Sequence, residues 1–253
     1  MQFSSKILSQ TITKLCLDNG IDHIVISPGS RNAALTIGFT GTTSFTNFSI
    51  VDERCAAFFA LGLAQQLQRP VALVCTSGSA LLNYYPAIAE AYYSDIPLVV
   101  LSADRPAHLL EIGDGQTIKQ ENVFANHILY SGACREGEEF QKYNEDQIHT
   151  ALSIAISQSG PVHLNLPFSE PLYDIVTTPS VFPENHPTVV TKHTDNQELI
   201  SEIASHWNSS SKSMILTGVL PPYCLEANII SELAEYACVV VLTETTSYVH
   251  HSN

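Results

Sequence analysis

Charged residues are scarce in this sequence. They make up 14% of its 253 residues, and 25 acidic residues outnumber 11 basic ones, so the net charge at pH 7 is −14. The shortage of Lys and Arg argues against a protein that binds a nucleic acid backbone or an anionic membrane surface, because both attract positive charge. Hydrophobic residues reach 45%, and this combination predicts that part of the surface contacts other protein, as in a homo-oligomer.

The sequence also lacks an uninterrupted apolar segment long enough to span a bilayer, and residues 1–6 lack the apolar core of a secretory signal. No two of the six cysteines form a C-x-x-C pair, and most of them lie in apolar runs. They are therefore predicted to be buried thiols in a reducing compartment. We expect a cytoplasmic protein without membrane insertion.

What the sequence does contain is a repeated unit of strand, turn and helix. Apolar strands are predicted at 23–27, 71–75, 97–102 and 160–167, and helical patterns at 7–19, 33–39, 81–93 and 144–158. This alternation predicts an α/β fold with a doubly wound parallel sheet. A second α/β domain is predicted to start further on, with helices at 197–208 and 226–236 and strands at 214–217 and 239–243.

The predicted domains are 1–180 and 197–253, joined by a linker at 181–196 that has no hydrophobic periodicity. Two strands are too few to form a parallel sheet that is covered on both faces. We therefore expect the second domain to be incomplete and the chain to be truncated.

The residues that most clearly suggest chemistry are Asp52, Glu53 and Arg54. They stand between an apolar segment and a helix rich in Ala, Phe and Leu, which has almost no polar face and is predicted to be buried. A carboxylate at the carboxyl edge of a parallel sheet is partly desolvated, which raises its pKa and favours a proton-sharing role. The alternative is that Asp52 and Glu53 only cap the helix, and this stretch alone leaves the two interpretations even.

Two arginines, Arg31 and Arg105, follow predicted strands and are expected to face one crevice. The forked guanidinium group suits carboxylate or phosphate ligands. Surface ion pairs with the many acidic residues are the alternative, but two arginines at strand ends favour a ligand site. The loop at 109–124 is expected to cover that ligand. His163 alternates with apolar neighbours, so a core histidine is favoured over a catalytic one.

Five motifs occur in order along the chain. They are S-P-G-S-R at 27–31, D-E-R at 52–54 with A-L-G-L-A at 60–64, T-S-G-S-A at 76–80, S-A-D-R-P at 102–106 and G-Q-T-I at 115–118. Together they resemble the 2-succinyl-5-enolpyruvyl-6-hydroxy-3-cyclohexene-1-carboxylate synthases, a family of thiamine-diphosphate enzymes in menaquinone biosynthesis. Single motifs of this kind occur in many thiamine-diphosphate enzymes, and the pair S-P-G-S-R and A-D-R-P points to this family.

The resemblance implies that residues 1–180 are a pyrimidine-binding domain. It implies that 197–253 begin a central domain without cofactor, and that the domain binding diphosphate and Mg²⁺ is missing. Glu53 matches the catalytic glutamate that bonds N1′ of the cofactor's aminopyrimidine. The cofactor turn would be Thr76, Ser77 and Gly78. Asn83 also matches a position near that turn, where a structural role is equally favoured.

The implied reaction decarboxylates 2-oxoglutarate and adds the resulting succinyl carbanion to isochorismate. The matching substrate positions are Ser30, Arg31, Arg105, Gln116 and Lys119. Lys119 stands where several relatives have arginine, so it offers a point charge without a fork. The family's active site lies between subunits, which implies a dimer or tetramer and an inactive fragment.

No metal ligand is assigned in this chain. Gly113, Asp114 and Gly115 resemble the start of the family's metal motif, but no apolar strand precedes them, so they are assigned to the substrate loop. Two alternatives stay open. One is another thiamine-diphosphate carboligase or decarboxylase, such as a relative of acetolactate synthase, which would need fewer anion-binding arginines. The other is a non-catalytic α/β binding module, for which replacing Glu53 by glutamine would change nothing.

Overall fold

The computed structural model describes residues 2–184, 186, 188, 196–221 and 224–249. The chain divides into two compact units, Met1–Val190 and Thr191–Asn253. The strands of the first unit are β1 (Phe3–Ser4), β2 (His23–Ile26), β3 (Thr46–Ser49), β4 (Val71–Cys75), β5 (Leu98–Asp104), β6 (Tyr130–Ala133), β7 (Val162–Pro167) and β8 (Ile175–Val176). Its α-helices are α1 (Ile7–Asp18), α2 (Ala33–Thr40), α3 (Glu53–Leu67), α4 (Tyr85–Tyr93) and α5 (Gln141–Gln158).

Six strands of the first unit form one parallel sheet in the order β3-β2-β4-β5-β7-β6. Every residue of β4 and β5 is buried, as is typical of strands covered on both faces. Side chains from successive strand positions enter two hydrophobic clusters, one with α1, α2 and α5 and the other with α3 and α4. Helices therefore cover both faces, and the predicted doubly wound α/β fold is confirmed.

The strand register brings the turns after β2, β4 and β5 to one edge of the sheet. Ile26 lies opposite Val74, and Cys75 lies opposite Ser102. Because all of these strands are parallel, the segments that follow them leave the sheet at the same end. This edge is where the motif residues of the sequence are gathered.

Several elements of the first unit differ from the prediction. The apolar residues directly before Asp52 are not part of a strand, because β3 ends at Ser49 and Val51 is 77% exposed. The sequence predicts one helix over 81–93, whereas the structure has a 3-10 helix at Gly78–Tyr84 followed by α4. Pro86 lies at the start of α4, where it cannot donate a hydrogen bond to the preceding turn. The short strand β6 contains Ser131 and Gly132 and has no apolar run, so only its pairing with β7 makes it a strand.

Helix α3 is buried on one face only, so the prediction of a buried helix is half wrong. Its fully buried residues share a small side chain, and they are Ala56, Ala57, Ala60 and Ala64. They allow the helix to approach β4 and the 3-10 helix closely. On the other face, Phe58 and Phe59 are 45% and 42% exposed. Exposed aromatic side chains of this size are typical of a surface that contacts another protein.

The cysteines are free thiols, but only half of them are buried. Burial raises the pKa of the Cys16 and Cys134 thiols to about 12, and Cys75 is buried as well. The prediction of buried thiols is wrong for the others, which are Cys55, Cys224 and Cys238.

The second unit contains α6 (Gln197–Ser209), β9 (Ser213–Thr217), α7 (Ala227–Ala234) and β10 (Val239–Thr243). Strands β9 and β10 pair in parallel, and these elements agree with the helices and strands predicted there. Most of the predicted linker, 181–196, lies outside the described residues. The domain limits 1–180 and 197–253 therefore stay predictions.

Candidate functional site

The turn between β3 and α3 separates the roles of its two acidic residues. Asp52 is the N-cap of α3, and its Oδ1 accepts a hydrogen bond of 2.9 Å from the amide of Cys55. This bond lowers the pKa of the Asp52 carboxyl. Glu53 is the first residue of α3 and is half-buried, and its carboxylate forms no hydrogen bond or ion pair with any residue that the structure describes. The capping interpretation is thus correct for Asp52, and the carboxylate of Glu53 is left unpaired.

Two buried groups, the Cys75 thiol and the Tyr84 hydroxyl, lie near Glu53. Burial raises the pKa of Cys75 and of Tyr84, and the charge of Glu53 raises both further. The Tyr84 hydroxyl donates to the carbonyl of Val74 at 3.0 Å, and it also lies 3.2 Å from the hydroxyl of Ser27. The ends of β2 and β4 are therefore joined beneath this carboxylate.

The turn after β4, made of Thr76, Ser77 and Gly78, has neighbours on two sides. Gly78 has a φ of +84°, and a Cβ there would come within 2.7 Å of the carbonyl oxygen of Gln116, so only glycine fits. A Cβ on Gly29 would come within 2.5 Å of the Thr76 side chain. The turn thus touches both the S-P-G-S-R segment and the loop that carries Gln116.

Arg105 is held at this turn by three groups. Its Nη1 donates to the Ser77 hydroxyl at 2.7 Å and to the Gln116 carbonyl at 3.0 Å, while its Nε binds the carboxylate of Asp114. Only 12% of the Arg105 side chain is exposed. The structure therefore brings together Ser77, Gly78, Arg105 and the backbone of Gln116.

Arg31 has other hydrogen-bond partners than Arg105, and the expectation that both arginines face one crevice stays a prediction. Its Nη1 donates to the carbonyl of Phe168 at 2.9 Å and lies 3.4 Å from a carboxylate oxygen of Glu170. Ser30 beside it is exposed. Lys119 is 87% exposed, and its Nζ lies 3.2 Å from a carboxylate oxygen of Glu111. Each predicted basic substrate residue is thus paired with an acidic residue of this chain.

A cavity of about 1020 Å³ opens beside this region, at the ends of β5 and β7. Of the predicted site residues, only Arg105 and Lys119 line it. Segments of the loop at 109–124 form part of its wall, as expected for a loop that covers a ligand. Arg135 also lines the cavity, with its guanidinium 4.9 Å from the ring centre of Tyr143.

The structure contains a buried polar network under Arg105 that the sequence did not predict as part of the site. Its members are almost completely buried, and they are Ser102, Asp104, Gln120, His163 and Asn165. Burial raises the pKa of Asp104, although hydrogen bonds from Asn165 and from the Arg105 amide oppose this shift. The signal that could have revealed the network is the spacing of His163 and Asn165, which places both side chains on one face of β7.

His163 is a core residue, as the sequence predicts. Its side chain is completely buried, and burial lowers its pKa to about 3. Its Nε2 lies 2.7 Å from the Ser102 hydroxyl, which itself donates to Asn165 Oδ1 at 3.0 Å. Nε2 therefore carries the proton of the neutral imidazole, and Nδ1 is left without a partner.

Among the residues that the structure describes, no group of three or more His, Cys, Asp or Glu side chains is arranged to hold a metal ion. The same part of the chain lacks a membrane-spanning helix.

Several known proteins are similar to this chain in sequence. Residues 7–127 match the family described as thiamine pyrophosphate enzyme, N-terminal TPP binding domain. A protein of Christiangramia forsetii is 52% identical over 99% of this chain and 46% of its own length. A protein of Flavobacterium psychrophilum is 55% identical over 97% of this chain and 44% of its own length. Both are named 2-succinyl-5-enolpyruvyl-6-hydroxy-3-cyclohexene-1-carboxylate synthase.

The chain is a homologue of these synthases. It spans less than half of the length of the curated relatives that it matches. The fold of this synthase homologue also matches the solved structure of benzoylformate decarboxylase from Polynucleobacter necessarius. That match has a TM-score of 0.69 at 20% identity and covers 96% of this chain and 44% of the other. The resemblance stated from the motifs is confirmed.

The residues of the synthase homologue are chemically suited to bind a ring of thiamine pyrophosphate. The unpaired carboxylate of Glu53 can share a proton with a ring nitrogen, and the partly exposed Thr76 follows β4 at the same sheet edge. Residues for a diphosphate group and its metal are not assigned among those described.

Proposed function

We propose that this chain supplies the half-site that recognises the pyrimidine ring in a thiamine-diphosphate-dependent synthase. The complete protein would decarboxylate 2-oxoglutarate and transfer the remaining four-carbon unit to isochorismate in menaquinone biosynthesis. The observation that carries the proposal is the unpaired carboxylate of Glu53 at the carboxyl edge of the sheet. The names of the curated relatives and the matching family support it.

In this proposal Glu53 is the catalytic residue. Thiamine diphosphate, when bound, supplies an acidic thiazolium carbon and an aminopyrimidine that can accept its proton. Glu53 would hold a proton at the ring nitrogen of the aminopyrimidine. Thr76, Ser77 and Gly78 would form the floor of the ring site.

The substrates would be bound through their carboxylates by Arg31, Arg105 and Lys119, with Ser30 and Gln116 as polar neighbours. Each of the three cations is paired with an acidic side chain of a loop or turn, namely Glu170, Asp114 and Glu111. An incoming carboxylate can replace such a partner without leaving a buried charge unpaired. Arg105 is the best prepared of the three, because hydrogen bonds to Ser77 and Gln116 already fix its guanidinium.

Mg²⁺ and the diphosphate would be held by residues outside this sequence. Both substrates are small anions of the kind that a cytoplasmic enzyme uses.

We expect a homodimer or tetramer. The exposed side chains of Phe58, Phe59 and Leu82 support this, since they form an apolar surface on one face of the first unit. Phe58→Glu should raise the dimer dissociation constant at least tenfold in analytical ultracentrifugation. Leu17→Glu, on the opposite face of the sheet, should leave it unchanged.

The deciding experiment uses the full-length protein encoded by the reading frame that contains this sequence. Thiamine diphosphate, Mg²⁺, 2-oxoglutarate and isochorismate are added, and isochorismate loss and CO₂ release are followed together. The proposal requires both, in equal amounts. CO₂ release from another oxoacid without isochorismate loss would favour a different carboligase or decarboxylase. An absence of both with the full-length protein would favour the binding module.

A further inference from the structure

Gln120 stands out because its buried side chain connects the proposed cofactor turn to the proposed substrate arginine. Its side chain is 2% exposed, although it lies on the loop between β5 and β6. Its Oε1 accepts a hydrogen bond of 2.7 Å from the amide of Gly78. Its Nε2 donates to Asn165 Oδ1 at 2.7 Å and to the carbonyl of Ala103 at 3.2 Å.

The connection continues to Arg105 through two more residues. Asn165 Nδ2 donates to Asp104 Oδ2 at 2.8 Å, and the other carboxylate oxygen accepts the Arg105 amide at 2.8 Å. The Arg105 guanidinium then donates to the hydroxyl of Ser77, which precedes Gly78 in the chain. These hydrogen bonds close a ring through the side chain of Arg105 and the backbone between Ser77 and Gly78, and we call it the Gln120 ring. Its members are Ser77, Gly78, Asp104, Arg105, Gln120 and Asn165.

The orientation of every amide in the Gln120 ring is determined by backbone groups. The Gly78 amide can only donate, so it faces Gln120 Oε1, and the Ala103 carbonyl can only accept, so it faces Nε2. Asn165 must then turn its oxygen to Gln120 and its nitrogen to Asp104. A ring with one allowed orientation at each member is rigid, because turning any one side chain leaves a buried polar group unpaired.

We propose that Gln120 is a positioning residue that fixes the distance between the turn at Thr76, Ser77 and Gly78 and the guanidinium of Arg105. This inference rests on the proposed function, in which that turn meets the cofactor and Arg105 meets a substrate carboxylate. In this proposal Gln120 needs no contact with either ligand. It acts through Gly78 on one side and through Asn165 and Asp104 on the other.

The test compares Gln120→Met with a matched variant, Gln10→Met, in the full-length protein. Gln10 is also a buried glutamine, 5% exposed, whose side chain joins two backbone groups, the Ser4 carbonyl at 2.8 Å and the Ser180 amide at 2.7 Å. Gln120→Met loses its three hydrogen bonds to Gly78, Ala103 and Asn165, Gln10→Met loses two, and both variants keep a similar volume. Three quantities are measured: hydrogen exchange of the peptide that contains Gly78, the Kd of thiamine diphosphate in the presence of Mg²⁺, and the KM with kcat for whichever of 2-oxoglutarate and isochorismate Arg105 binds, as shown by Arg105→Lys.

We expect Gln120→Met to speed exchange at Gly78 and to raise both the Kd and the KM, each about tenfold, with a smaller loss of kcat. Gln10→Met should lower Tm by a comparable amount and leave the three quantities as in the wild type. If Gln120→Met lowers Tm and changes none of the three, Gln120 is only a structural residue and the proposal is wrong.

A second variant, Gln120→Glu, separates the two halves of the ring. At neutral pH its carboxylate can still accept from the Gly78 amide but can no longer donate to Asn165. We expect nearly normal exchange at Gly78 together with a raised KM, which should approach the wild-type value when the pH is lowered and the carboxyl can donate again. A KM that stays raised to the same degree at every pH would contradict the proposal.

Failure of the proposed function would show separately. If the wild-type protein consumes neither substrate, the proposed function is wrong, and exchange at Gly78 still decides whether Gln120 holds the turn. Faster exchange in Gln120→Met than in Gln10→Met then supports the positioning role, and equal exchange contradicts it.

Discussion

At the ends of β3 and β5 an aspartate precedes a charged candidate site residue, Glu53 in one case and Arg105 in the other, and the two candidates differ in how they are held. After β3, Asp52 is exposed and bonds only to the first turn of its own helix, and Glu53 has no partner among the described residues. After β5, Asp104 is 2% exposed, and Arg105 is held by groups from two other segments. The carboxylate of Glu53 is thus left without a partner among the described residues, whereas the guanidinium of Arg105 is held in place.

This difference matches two different chemical tasks. A carboxylate that shares a proton with a ligand must not be occupied by the protein, since a permanent partner would compete with the ligand. A guanidinium that orients a carboxylate works best when it is held in place beforehand, because less freedom is lost on binding. The contrast therefore supports Glu53 as the chemical residue and Arg105 as the binding residue, and four predictions examine it.

The largest effect is expected at Glu53. Glu53→Gln keeps the shape of the side chain but removes the group that shares the proton, so kcat of the full-length protein should fall about 10²- to 10⁴-fold. Asp52→Asn removes the same charge one residue earlier and keeps an acceptor for the Cys55 amide, so kcat should change less than threefold. The measurement is the rate of isochorismate loss at saturating substrate. Equal losses of kcat in both variants would mean that Glu53 contributes no more to catalysis than the capping residue Asp52.

The next largest effect is expected at Arg105. Arg105→Lys keeps the charge but cannot bond Ser77, Gln116 and a carboxylate together, so the KM for the carboxylate substrate it binds should rise about 10- to 100-fold while kcat changes less. Arg69→Lys is the control, because Arg69 lies before β4 at the amino end of the sheet and pairs with Asp22 at 3.1 Å. Steady-state kinetics separate KM from kcat. An unchanged KM for both substrates would mean that the fixed arginine binds neither.

The contrast between the two turns also marks what the sequence can predict. Apolar runs such as those of β4 and β5 identify the sheet and hence the edge at which the motifs meet. Strand β6 has no such run, and the two-residue strands β1 and β8 exist only through pairing with each other. Contacts that are distant in sequence decide these elements, so a local pattern does not show them.

The site follows the same rule. Glu53 and Arg105 are recognisable because each follows a strand and has a distinctive charge. Gln120 is not, because a single glutamine in a loop resembles any surface glutamine until Gly78 and Asn165, which are distant in the sequence, are brought beside it. The same holds for the partner of Arg31, since the carbonyl of Phe168 is 137 residues away.

The third prediction concerns His163, which belongs to the buried polar network under Arg105. The pKa of His163 is about 3 in the folded state and about 6.5 when unfolded, so the unfolded chain binds the proton first as the pH falls. This group therefore lowers the free energy of unfolding as the pH falls from about 6.5 toward 3, by about 2 kcal/mol between pH 7 and pH 5. His163→Gln should remove that part of the pH dependence, whatever it costs at pH 7.

Hydrogen exchange of the amides in β5 and β7, corrected for the intrinsic effect of pH, measures this in the full-length protein. The free energy of unfolding should fall less between pH 7 and pH 5 in His163→Gln than in the wild type. An identical difference in both proteins would mean that His163 is not the group that makes the buried side sensitive to acid.

The smallest effect is expected at the exposed side, in the cap of α3. Asp52→Ala removes the acceptor for the Cys55 amide, and exchange of that amide should become about fivefold faster, while Asp52→Asn should leave it nearly unchanged. Because Glu53 follows the cap directly, a frayed first turn would also disturb the position of its carboxylate. If Asp52→Ala lowers kcat as much as it speeds exchange, the free turn depends on its cap for geometry just as the turn at Arg105 depends on buried hydrogen bonds. If kcat is unchanged, Glu53 is positioned by the packing of the α3 alanines against the sheet alone.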